Sequence, residues 1–198
     1  MIQTLLEFQR LKRLERTGWM LRGVGPAAES VAAHSFGVSV AAMMLADAAR
    51  ARGLEVDVER VLRMALLHDL AEARLGDMPR TAAEYFGAEA RKRAERAAFA
   101  DIVRNCPAGL AELYSRLHED YERRESLEAR IVKAADIIDL LVQVLAFERA
   151  GVRGLDEFWE DVRERGLLLE GAAGEAAAEM LRELLAERAR LEGEDGEA

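Results

Sequence analysis

The chain has 198 residues, enough for one domain or at most two small ones. Half of it is hydrophobic and a third is charged, which excludes a disordered chain, and three prolines among long stretches of Ala, Leu, Glu and Arg exclude most folds other than helical ones. Against 37 acidic residues stand 28 basic ones, and a net charge of −9 argues against a protein that grips nucleic-acid backbones, though one local cationic pocket can still hold a small anion.

Met1–Leu14 reads as an amphipathic first helix with Leu5, Phe8 and Leu11 on one side. Its charges at Glu7, Arg10, Lys12 and Arg13 do not suit a signal peptide. Arg16 to Pro26 holds three glycines and a proline and reads as an ordered loop. A second helix is expected from about Ser30 to Arg52, stopping at Gly53. Within it, Ser30–Ala46 is the longest uncharged run, short of the ~20 apolar residues that cross a bilayer, so no membrane span is expected and a cytoplasmic location is.

Asp57 caps a third helix from Val58 to about Ala73. Arg74–Arg80 carries Gly and Pro and cannot be helical throughout. Helical patterns resume over Ala88–Asn105, Ala108–Tyr121 and Ser126–Ala150. Gly151 and Gly154 then break the chain before Leu155–Arg165 and Ala172–Leu191. Residues 1–191 are expected as one all-α bundle, followed by an acidic, frayed tail over Glu192–Ala198.

The chemistry is concentrated in few residues. A single cysteine, Cys106, excludes a disulfide framework or a multi-cysteine zinc site. His68 and Asp69 stand together in an apolar helix, with Glu72 one turn on along the same face. His34 opens another strongly apolar helix, where a solvated imidazole has little reason to be. Asp136 lies on a third apolar helix and, if buried, needs a cation: Lys133, an arginine or a metal. Asp139, three residues on, is an equal candidate for the surface partner of that helix. Two imidazoles and two carboxylates form a mixed nitrogen–oxygen set suited to a divalent transition metal such as Mn, Fe, Co, Ni or Zn, with positions left for water and substrate. His118, among acidic residues, reads as a surface histidine, and Met43 and Met44 as core.

His, then His-Asp, then Asp on three helices resembles the HD-domain metal phosphohydrolases. Arg16-Thr-Gly-Trp19, Glu29-Ser-Val-Ala-Ala-His34-Ser, Leu67-His-Asp-Leu-Ala-Glu72, Gly76-Asp-Met-Pro79 and Val132-Lys-Ala-Ala-Asp136 are similar to the YfbR-like 5′-deoxynucleotidases over Leu11 to Ala150. The resemblance implies a compact helical bundle of the HD-domain type, a homodimer, and hydrolysis of deoxyribonucleoside 5′-monophosphates. By position it makes His34, His68, Asp69 and Asp136 metal ligands and Glu72 a catalytic acid or base. It places Asp77, Met78, Pro79 and Arg80 on a substrate-contacting loop. Arg16 becomes a phosphate clamp and Trp19 a sugar contact. One branch of the family has its Arg and Trp adjacent, whereas Thr17 and Gly18 separate them here, so Arg22 competes with Arg16 for the phosphate. Asp77 is open to three roles: assisting the reaction, binding a second ion, or holding the sugar. Two alternatives are an HD-domain hydrolase of a triphosphate, cyclic nucleotide or pyrophosphate, and a nucleotide-sensing module without turnover.

Overall fold

A computed structural model describes residues 1–26 and 28–196, leaving aside the side chains of residues 80, 83, 84 and 194–196. The described residues are all-α. Eleven helices are α1 (Ile2–Leu11), α2 (Thr17–Met20), α3 (Val31–Ala51), α4 (Val58–Leu67), α5 (Glu72–Leu75), α6 (Arg80–Phe86), α7 (Ala88–Val103), α8 (Ala108–Arg123), α9 (Leu127–Arg149), α10 (Asp156–Arg165) and α11 (Gly171–Gly196).

The start signals act as their chemistry requires. The hydroxyls of Ser30 and Ser126 accept from the backbone N–H of Ala33 and Ala129, and the Asp57 carboxylate accepts from Arg60 N–H, so α3, α9 and α4 begin where free N–H groups find an oxygen. Gly53 ends α3 in a left-handed turn (φ +86°) that brings Leu54 N–H back to the Ala49 carbonyl.

α3 and α9 form the centre, packed against each other and flanked by α4, α8 and α11. Val38, Ala42, Leu45 and Ala46 of α3 and Ala134, Ala135, Ile138 and Leu141 of α9 are fully buried. Small side chains on both helices let the two backbones come close. At the far end, Glu148 of α9 accepts from Trp159 of α10 and Arg188 of α11, a buried network that ties the last two helices to the central pair.

Several local readings change. α1 stops at Leu11, and Leu14–Glu15 instead pairs with the segment before α3: Val31 N–H donates to Leu14 O and Arg16 N–H to Glu29 O. α1 buries Thr4 and Leu11, whereas Leu5 is exposed. The loop after it contains the one-turn helix α2, and α6 occupies part of the stretch assigned no structure. α11 continues past Leu191 to Gly196. The greatest change lies at His68. The continuous helix expected to Ala73 ends at Leu67, and residues 68–73 wind more tightly, with Leu70, Glu72 and Ala73 N–H each bonded three residues back.

Candidate metal centre and adjoining cleft

Tight winding solves a geometrical problem for His68 and Asp69. Neighbours on an α-helix diverge by ~100°, but here both side chains serve one point: His68 Nε2 lies 3.1 Å from Asp69 Oδ2. From α3, His34 Nε2 comes within 3.7 Å of the same Asp69 oxygen and 3.2 Å of Asp136 Oδ1 on α9. One ligand atom each from His34, His68 and Asp136 falls within 4.8 Å of the others. Residues far apart in the chain therefore converge.

The far side of each group is already engaged. His68 Nδ1 sits 2.7 Å from the Ala65 carbonyl and His34 Nδ1 sits 2.8 Å from Asp139 Oδ2. A carbonyl and a carboxylate only accept, so each Nδ1 carries hydrogen and each Nε2 is left for another partner. Both Nε2 atoms are buried without a hydrogen bond. Asp136 divides its oxygens in the same way: Oδ2 accepts from Lys133 Nζ (2.6 Å) and the Tyr121 hydroxyl (3.3 Å), and Oδ1 faces His34. Two orphaned imidazole nitrogens facing two carboxylates are a donor set that could hold a divalent metal ion.

Electrostatics keep the carboxylates charged. Burial alone would raise Asp69, but His68, His34 and Arg16 hold it well below the usual carboxylate range. Lys133, His34 and His68 do the same for Asp136. His34 is pulled by Asp136 and Asp139, against burial, up to about 9. Glu72 behaves oppositely: burial, with Asp69 and Asp77 nearby, pushes it up to about 10. Its Oε2 is buried with no hydrogen bond. In the metal-free protein, burial and the neighbouring aspartates therefore favour the protonated acid at Glu72.

These shifts give the metal-free protein a pH signature. His34 is higher in the folded chain, at about 9, than its ordinary 6.5, so its stabilising contribution is full below pH 6.5 and is lost as pH rises through about 9. Glu72 keeps a proton that the unfolded chain has released above about 4.5, and so adds a loss of the same sign. The melting temperature of metal-free protein is expected to fall between pH 6.5 and 9. Stabilisation by an added divalent ion should grow over that range, because ion and proton compete for His34. Thermal melts of chelator-treated protein across this range check the sign; a rising melting temperature would contradict it.

Arg16 and Arg22 separate clearly. Arg16 is mostly buried, with Nη1 3.5 Å from Asp69 Oδ2. Burial disfavours its charge, but Asp69, Asp136, Asp77 and Glu72 more than offset that. Arg22 is committed elsewhere: Nη1 donates to Gly18 O, Nε is paired with Glu157, and its guanidinium lies 4.5 Å over the Phe158 ring. Between them opens a cleft of about 250 Å³, lined by Arg16, Gly18, Trp19 and Arg22, by Asp77, Met78, Pro79 and Thr81, and by Leu140, Glu157, Phe158 and Asp161.

Trp19 forms the cleft floor and is only 2% exposed, edge-on to Phe147 and tilted against Phe158, with its N–H given to Glu29. The Asp77 carboxylate accepts from Thr17 N–H and its carbonyl from the Thr17 hydroxyl, joining the loop after α5 to the start of α2. The Arg80 side chain lies outside the described residues.

Some expectations fail. His118 is buried, stacked face to face on Phe99 at 4.1 Å, and burial, reinforced by Arg96 and His68, pushes it down to about 4; it is not a surface histidine. Met43 and Met44 are exposed, not core, because they lie with Phe36 and Val40 on the outward face of α3. Asp139 is turned inward to His34 rather than outward to solvent. The contribution of α10 to the cleft had no local signal, since nothing near Glu157 or Phe158 in sequence marks a site.

The chain is similar to several known proteins. The HD-domain family profile matches residues 8–165. The human protein named 5′-deoxynucleotidase HDDC2 is 34% identical over 150 residues, 74% of this chain and 69% of that one. The structure of PH0347 protein from Pyrococcus horikoshii superposes with a TM-score of 0.75 at 38% identity, covering 96% of this chain and 99% of that one. A Magnetospirillum magnetotacticum structure named "Predicted metal-dependent phosphohydrolase" gives a TM-score of 0.65 at 25% identity, covering 94% of each chain.

Proposed function

This chain belongs to the HD-domain family, and from that premise we propose that it hydrolyses deoxyribonucleoside 5′-monophosphates to deoxynucleosides and phosphate. The observation that carries the reading is the adjacency of the His/Asp cluster, Arg16 and the cleft. They provide a cation site, a phosphate clamp and a nucleoside-sized slot in that order. Relatives from vertebrates and fission yeast, 32–34% identical to this chain, are named 5′-deoxynucleotidases.

His34, His68, Asp69 and Asp136 hold a divalent ion of the Mn, Fe, Co, Ni or Zn type. When bound, it supplies Lewis-acid polarisation of the phosphoryl group and acidifies water. Arg16 takes two phosphate oxygens through its planar fork. Glu72 gives its proton to the 5′-oxygen as the P–O5′ bond breaks and recovers one from the attacking water, whose oxygen forms the new P–O bond. Asp77 holds Met78, Pro79 and the start of α6 against α2, where this segment contacts the nucleoside. Trp19 closes the floor beneath the sugar. An apolar floor offers a ribose 2′-hydroxyl no partner, so deoxyribose is preferred.

A net charge of −9 supports free nucleotides over nucleic acid as the partner. A cytoplasmic homodimer fits the exposed stripe of Phe36, Val40, Met43 and Met44 on α3, a single uncharged helix face that a second copy can cover about a two-fold axis.

Phosphate release across deoxy- and ribonucleoside mono-, tri- and cyclic phosphates, with a series of divalent metals, tests the reading. Deoxy-monophosphates should turn over at least about tenfold faster than their ribo counterparts, and Trp19→Ala should narrow that ratio. Release from triphosphates alone would overturn the substrate assignment. A monomer mass by light scattering would remove the dimer.

A further inference from the structure

The cluster leaves one inward-facing, partly buried carboxylate without a role. Asp139 lies one turn beyond Asp136 on α9, and its Oδ2 sits 2.8 Å from His34 Nδ1, on the opposite side of the ring from Asp69 and Asp136. Room for it is made across the helix interface. A Cβ on Gly37 of α3 would stand 2.0 Å from Asp139 Oδ1 and 2.7 Å from its Cγ. Any residue other than glycine at 37 would push this carboxylate out of place. The one glycine within the α3 helix is therefore the socket for Asp139.

We propose that Asp139, seated against Gly37, is a positioning residue that fixes which nitrogen of His34 binds the metal. A carboxylate accepts but never donates, so it demands hydrogen on Nδ1 and leaves the Nε2 lone pair directed at the metal centre. The same contact holds the ring plane and raises the electron density that His34 offers. Glu29 neighbours His34 and Asp139 but does not take this part: its Oε2 is occupied by the Trp19 N–H at 2.6 Å. Asp69, Asp136, Asp139 and Glu29 are the carboxylates that face or neighbour His34, and Asp139 alone bonds to Nδ1.

The inference rests on the reading of His34 as a metal ligand, and its test needs no nucleotide. Affinity for Co(II) is measured by competition with a chromophoric chelator on metal-stripped full-length chain, wild type against Asp139→Asn. Asn fits the same space but can also present an N–H₂ group, which stabilises the opposite tautomer and caps Nε2 with hydrogen. Affinity should fall about 10- to 100-fold. Gly37→Ala, which displaces Asp139 without altering its chemistry, should lower affinity likewise. A second measurement uses wild type only: in the zinc-loaded protein, long-range ¹H–¹⁵N correlation should show His34 protonated at Nδ1. Asp139→Asn affinity within twofold of wild type, or zinc-loaded His34 protonated at Nε2, overturns the inference. Wild-type protein that takes up no metal overturns the metal reading itself, and this inference with it.

Discussion

Asp69→Asn is expected to deprive the protein of stoichiometric metal and to reduce phosphate release by about a thousandfold or more. Asp69 Oδ2 is the common neighbour of the cluster, 3.1 Å from His68 Nε2, 3.7 Å from His34 Nε2 and 3.5 Å from Arg16 Nη1. Asn removes the negative charge where a cation and a guanidinium meet. Metal assistance is worth several kcal/mol to a phosphoryl transition state, and each 1.36 kcal/mol is tenfold in rate, which sets the scale. Elemental analysis per chain and kcat/KM are read together. A variant with one equivalent of metal and more than a tenth of wild-type activity would show that Asp69 is not a ligand.

Glu72→Gln should act on chemistry alone. Metal content should stay at the wild-type level, because the carboxylates that stand within 4 Å of the two imidazole Nε2 atoms are Asp69 and Asp136, not Glu72. The fold should hold as well. Glu72 is pushed up to about 10 and so is already uncharged in the metal-free protein at neutral pH, and a neutral amide of the same shape suits the same pocket. Gln has no proton to give, so kcat should drop about 10²- to 10⁴-fold with KM changed little. Its metal-free melting temperature should also fall less steeply with pH than that of wild type, since one of the two groups responsible is gone. A kcat within tenfold of wild type would remove Glu72 from the proton transfer.

Much of this site is visible in the sequence because burial makes polar residues conspicuous. His34 and Asp136 sit in helices with few other charges, and His68-Asp69-Glu72 is the polar interruption of an apolar run. The Ser30, Asp57 and Ser126 caps are equally local, and the ends they mark agree with the structure to within a residue or two. What escapes depends on contacts between distant segments. The inward turn of Asp139 requires the gap at Gly37, a full hundred residues away. His118 looks solvated among its acidic neighbours, yet Phe99 of α7 covers it. On a helix as apolar as α3, composition does not reveal which face is left outside, so Met43 and Met44 read as core although they lie on the exposed face. Winding at His68 departs from 3.6 residues per turn without any proline or glycine to announce it.

The cleft and the cluster draw on different parts of the chain. The His/Asp cluster comes from α3, α9 and the turn after α4, all within the buried centre, whereas Glu157, Phe158 and Asp161 come from α10, a peripheral helix added after residue 150. Changes in α10 can therefore retune what the slot admits while the reactive end stays intact. Divergence among homologues in the nucleobase they prefer should accumulate on that outer helix, and exchanging it between relatives is a direct route to altered selectivity with turnover preserved.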